Sequence, residues 1–110
     1  MTYRITFTSK AKLEFNEAAI WWAENRSAEQ AARWLDRFQA AIETLVRDPE
    51  RLPRARESHL FPFPLRQLIF GLGSKPTHRA LFRVREHDVL IYGIRHLAQQ
   101  DVSPEDLDPT

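Results

Sequence analysis

Apolar and polar positions alternate at the start of the chain: Tyr3, Ile5 and Phe7 are separated by Arg4 and Thr6, the period of a half-buried strand. The period then lengthens. Ala11, Phe15, Ala18, Ala19 and Trp22 fall on one face of a helix that begins at about Lys10, with Thr8 or Ser9 as its cap. Asn25-Arg26 interrupts the pattern. Ser27 opens a second helix, with Gln30 three residues on as in a capping box. Its stripe is Ala31, Leu35, Phe38, Ile42 and Leu45, broadened by Trp34 and Ala41, and Asp48-Pro49 stops it. So short a break between two amphipathic helices predicts an antiparallel hairpin.

Residues 49 to 64 carry four of the seven prolines and read as an irregular connector. Leu65 to Leu72 is a strand candidate, and Gly71 and Gly73 open a turn region that runs to Pro76. Residues 78 to 86 and 89 to 96 are the clearest strands. The tail from Asp101 holds Asp101, Glu105, Asp106 and Asp108 and no basic residue, and Ser103-Pro104-Glu105 could start one helical turn. The order β-α-α-β-β-β predicts an α+β domain over residues 1–100, a helical hairpin on a mostly antiparallel sheet, followed by an acidic tail at 101–110.

A two-residue turn at His87-Asp88 would set the register of the last hairpin. Ala80, Phe82, Val84, Val89, Ile91 and Gly93 would then form a core face. Arg79, Leu81, Arg83 and Arg85 would lie outward, opposite His96, Ile94, Tyr92 and Leu90. That face is basic and apolar at once. A solvated sheet face with arginine stems over its neighbours is one reading of it. A docking surface for an anion or an acidic, partly apolar peptide is the other, because four large apolar residues have no use in water. Arg79 opposite His96 would set a phosphate-binding guanidinium beside a group that moves protons near neutral pH.

Composition trims the alternatives. The 110 residues, 43% hydrophobic and 28% charged, suit one globular domain. Absence of cysteine excludes disulfides, thiolate metal ligands and a cysteine nucleophile. No apolar run approaches membrane-span length, so a cytoplasmic chain without membrane contact is expected. A net charge of +1 names no partner. His59, His78, His87 and His96 lack metal-ligand spacing, so no metal and no cofactor is expected. "GLGSK" from Gly71 lacks phosphate-loop spacing and reads as a strand connection. Trp21, Trp22 and Trp34 read as helix core or rim, and Arg51 to Glu57 as a basic, solvated loop.

The motifs "AKLEFNEAAIWW" from Ala11, "DPERLP" from Asp48, "LRQLIFG" from Leu65, "HRALFRV" from His78 and "VLIYGIRH" ending at His96 occur in a telling order. Over about residues 3 to 100 the chain resembles the RelE/ParE superfamily of type II toxin–antitoxin toxins, and within it the ParE-like, plasmid-stabilisation branch. The resemblance implies a cognate antitoxin whose C-terminal segment wraps the toxin in a hetero-oligomer. It implies inhibition of DNA gyrase for ParE-like members and ribosome-dependent messenger cleavage for RelE-like ones. A toxin fold that survives only as a binding partner is the third possibility. Arg79 matches an arginine on the scissile phosphate, His96 an acid or base at the end of the last strand, and Arg66 a second-strand arginine. The "LAQQD" after His96 departs from the ribonuclease pattern, and Lys75 stands where those members are lysine-rich. Target or phosphate contacts are expected at Arg66, Arg79, Arg83, Arg85, Tyr92 and Arg95. Antitoxin contacts are expected at Leu81, Leu90 and Ile94, extended by Leu13 and Ile20 opposite the buried stripe of the first helix.

Overall fold

The computed structural model describes residues 2–99 and Pro104. The acidic tail and its helical turn otherwise lie outside the described residues. Strand β1 (Arg4–Phe7) leads into helix α1 (Ser9–Asn25) and helix α2 (Ala28–Glu43), and strands β2 (Arg66–Phe70), β3 (His78–Arg85) and β4 (Asp88–His96) complete the sheet. The helices start where their caps are. Thr8 Oγ1 accepts from the Ala11 N–H at 3.1 Å, and Ser27 Oγ accepts from the Gln30 N–H at 3.0 Å. Helix α2 ends earlier than the Asp48-Pro49 stop, tightening into a 3₁₀ turn over Thr44–Val46.

The sheet order is β1-β4-β3-β2. The last three strands are antiparallel as expected. The first strand, however, joins beside the last and parallel to it, Arg4 opposite Asp88 and Phe7 opposite Ile91, so the sheet is mixed. The two helices form the crossover that a parallel pair requires. Between β2 and β3 the chain turns tightly, and a Cβ added at Gly71 would sit 2.3 Å from the Lys75 carbonyl oxygen. Glycine at this position is a steric requirement.

One core lies between the helices and the sheet: Trp34, Phe38, Ile42 and Leu45 meet Ala80, Phe82, Val89, Ile91 and Ile94. Aromatic rings dominate its centre, with Phe38 stacked on Phe70 at 4.7 Å and edge-on to Trp34 at 5.3 Å. A second, smaller cluster lies on the other face of the sheet. There Ala55 and Leu65 cover Leu81 and Tyr92, with Phe61 and Phe63 packed against them. The proline-rich connector is therefore the lid of that face. Its backbone is tied to the start of β2 by Ala55 N–H to the Leu65 carbonyl at 2.7 Å and Gln67 N–H to the Pro53 carbonyl at 3.1 Å.

Candidate functional site

The hairpin register departs from the sequence expectation in two steps. The turn is Glu86-His87 rather than His87-Asp88, so Arg85 faces Asp88 and Val84 faces Val89. Glu86 takes the positive φ, 57°, that the first position of such a turn requires. Further along, the register slips between Leu81 and Phe82. Phe82 faces Ile91 while Leu81 faces Gly93, which makes Tyr92 the extra residue of a β-bulge.

The bulge sorts the predicted site residues onto new faces. Before it, Val89 and Ile91 point to the helices, as expected. After it the alternation of β4 is reversed: Ile94 joins the main core, and His96 faces His78 with ring centroids 5.0 Å apart. Gly93 lies opposite Leu81 on the connector side, not opposite Phe82 in the core. Arg79 is opposite Arg95, not His96. The juxtaposition of Arg79 and His96 expected from the sequence is not formed, because one inserted residue sends the two side chains to opposite faces.

Arg79 is only 1% exposed. Its guanidinium forms a bidentate pair with the buried Glu57 carboxylate, NH1 donating to Oε1 at 2.8 Å and NH2 to Oε2. NH1 also donates to Gln67 Oε1 at 3.1 Å. The positive charge is thus neutralised inside the protein, by a residue of the connector. Arg66 serves the same segment, its NH1 donating to the Leu52 carbonyl at 2.7 Å. Glu57 escaped the sequence reading because a lone acid in a basic loop carries no periodic signal. The run "LFPFPL" did carry one: apolar residues at Leu60, Phe61, Phe63 and Leu65 in a loop mark a covering segment.

The outward face is consequently not an open docking surface. Leu81 is fully buried, Ile94 is 4% exposed, and Leu90 packs against the smaller cluster. What does reach solvent near the turn is a platform. Phe63 stacks at 5.9 Å on Tyr92, which is itself buried, Arg83 lies 4.2 Å over the Phe63 ring, and Arg85 is exposed beside them. On helix α1, by contrast, Leu13 and Ile20 are 58% and 56% exposed, next to the half-exposed Trp21. These are large apolar side chains without a core role, as the stripe of α1 predicts.

At the far end of β4 the sheet edge is completed by side chains, because β1 has already ended. Thr8 Oγ1 lies 3.4 Å from the Tyr92 carbonyl, Ile94 N–H donates to Glu14 Oε1 at 3.0 Å, and His96 N–H donates to Gln99 Oε1 at 2.7 Å. Burial raises the Glu14 carboxyl above its ordinary value, and the bond from Ile94 works against that shift. Burial, with His96 nearby, lowers His78 from 6.5 to about 4, so the ring is neutral at pH 7. Ala98 N–H donates to His96 Nδ1 at 3.0 Å, which makes that nitrogen the acceptor.

No curated protein sequence matches this chain. A solved structure described as the chromosomal ParDE TA system from P. aeruginosa is similar in fold, with a TM-score of 0.70 and 18% identity over 86% of this chain and 96% of that one. The family described as the ParE toxin of the type II toxin–antitoxin system, parDE, matches residues 5–101, from β1 to just beyond β4. That match takes in both helices, the bulged hairpin and the connector that seals Arg79, and on this ground the chain belongs to the ParE toxin family.

Proposed function

We propose that this chain is the toxin of a type II toxin–antitoxin module, that it arrests growth by inhibiting DNA gyrase rather than by cutting RNA, and that it acts in the cytoplasm. A cognate antitoxin segment neutralises it in a hetero-oligomer. Family membership supports the toxin reading. One observation supports the choice of target: Arg79 is buried and paired with Glu57, while His96 belongs to the opposite face of the sheet. Phosphodiester cleavage needs a proton-transferring group and a cation converging on one phosphate. Arg79 and His96 do not converge.

Arg83 and Arg85 then serve in contact with the target, with the buried Tyr92 supporting them from beneath, and Leu13 and Ile20 serve in contact with the antitoxin. Arg66 and Arg79 act by holding the connector in place. Supercoiling by purified gyrase, run beside a ribosome-programmed messenger cleavage reaction, tests this reading. Inhibited supercoiling with intact messenger is expected, and His96→Gln should leave growth arrest unchanged. Messenger cleavage that His96→Gln abolishes would reinstate the ribonuclease. A chain inert in both reactions and harmless when expressed would leave only a binding partner with a toxin fold.

A further inference from the structure

Between α1 and the far end of β4 lies a cleft of about 380 Å³, bordered by Glu14, Glu17, Trp21, His78, Ile94 and His96. The volume is within the range of side-chain and small-ligand sites. Among the described residues that line it there are two carboxylates and no lysine or arginine. Glu14 is already engaged by the Ile94 N–H, and Lys10 and Arg95 act on it electrostatically. Glu17, one helical turn on, is exposed, and it acts on Glu14 as a like charge.

Three features give the cleft a chemical preference. Trp21 presents a half-exposed indole, held edge-on against Trp22 at 5.5 Å. Ala18 and Ile94 form an apolar strip along the cleft. His78, only 6% exposed, shares a 2.8 Å hydrogen bond between Nδ1 and Thr77 Oγ1, and its Nε2 has no partner among the described residues. In the tautomer that donates Nδ1–H to Thr77, the neutral ring keeps a lone pair on Nε2 that a donor entering the cleft satisfies.

We propose that this cleft binds an arginine side chain presented by a partner segment, its guanidinium set between the Glu17 carboxylate and the Trp21 ring. A planar guanidinium stacks on indole and pairs with a carboxylate in one pose, which a compact, strongly hydrated ammonium does less well. The arginine stem covers Ala18 and Ile94. In the toxin–antitoxin reading, on which the identity of the partner rests, the arginine belongs to the antitoxin.

The test uses the full chain and a blocked tripeptide, acetyl-Ala-Arg-Ala-amide, with its citrulline counterpart as the neutral isostere. The Trp21 indole N–H resonance, assigned with Trp21→Phe, reports occupancy. The arginine peptide is expected to shift this resonance saturably at millimolar concentration, and the citrulline peptide to bind about fivefold more weakly, the upper range of an exposed ion pair. Glu17→Gln should weaken the arginine peptide by a similar factor, and added salt should weaken it further. Glu17 is at the surface, so this variant folds, and unchanged amide dispersion verifies it. Equal binding of the two peptides, binding indifferent to Glu17→Gln, or an unmoved Trp21 resonance would each overturn the proposal. If the peptides fail while an antitoxin still relieves growth arrest, the cleft is refuted and the toxin reading stands.

Discussion

Arg79 shows what a single residue does when its charge is taken from water. A guanidinium and a carboxylate buried together replace much of their lost hydration through each other, here in a bidentate pair with Gln67 as an added acceptor. Removing either partner leaves the other buried without its main counter-charge. Arg79→Ala or Glu57→Gln is therefore expected to cost about 3–5 kcal/mol in urea unfolding, whereas the apolar double replacement Glu57→Leu with Arg79→Met should lie nearer the wild type than either single change. His78 makes the corresponding statement about protons. Its folded value, about 4, lies below the 6.5 of an unperturbed imidazole, so between these values the unfolded chain binds a proton that the folded chain refuses. The stability this provides is complete above 6.5 and is lost as the pH falls towards 4, by up to about 3 kcal/mol. Glu14, raised instead of lowered, has the opposite slope: its share is lost as the pH rises past its usual carboxyl range. Unfolding free energies measured across this window should flatten specifically in His78→Phe.

At the scale of elements, the last hairpin carries most of the local consequence. Its turn places Glu86, a residue with a Cβ, in the left-handed region at φ 57°. Glycine occupies that conformation without steric cost, so Glu86→Gly is expected to stabilise the fold by up to about 1 kcal/mol, read as a rise in melting temperature. The bulge at Tyr92 has a larger effect, because it reverses which β4 residues meet the helices. Ile94 fills the core beneath α1, and Gly93 stands opposite Leu81 on the connector side. The connector, two short 3₁₀ helices (Pro49–Arg51 and Arg56–Leu60) with extended chain around them, then covers the opposite face with Leu65, Phe61 and Phe63 and holds a core of its own.

For the whole molecule, the sheet has a covered face on each side, so partner surfaces must come from what remains outside. The outer side of α1 exposes Leu13 and Ile20 on one face, with Trp21 about 100° round the helix beside them. Leu13→Asp and Ile20→Asp are expected to leave folding and growth arrest intact while weakening relief by a co-expressed antitoxin, with calorimetry giving the lost affinity. Leu81→Asp, by contrast, would bury a carboxylate in the smaller cluster and unfold the chain rather than report on docking. No helix among the described residues is long and apolar enough to cross a membrane.

The elements were legible in the sequence because their signals are local. Alternation marked β1, the 3.6-residue stripes and their Thr8 and Ser27 caps marked α1 and α2, and the motif order carried the family resemblance. The exposure of Leu13 and Ile20 followed from the same stripe. Only tertiary structure decided the rest. Whether β1 runs parallel beside β4 depends on how the helices pack, and no property of residues 3 to 7 encodes it. A one-residue bulge leaves no trace in a pattern of period two, since Tyr92, Gly93 and Ile94 read equally well in either register. The fate of Arg79 depended on Glu57, a residue brought to it by a connector whose path is set by aromatic packing rather than by periodicity.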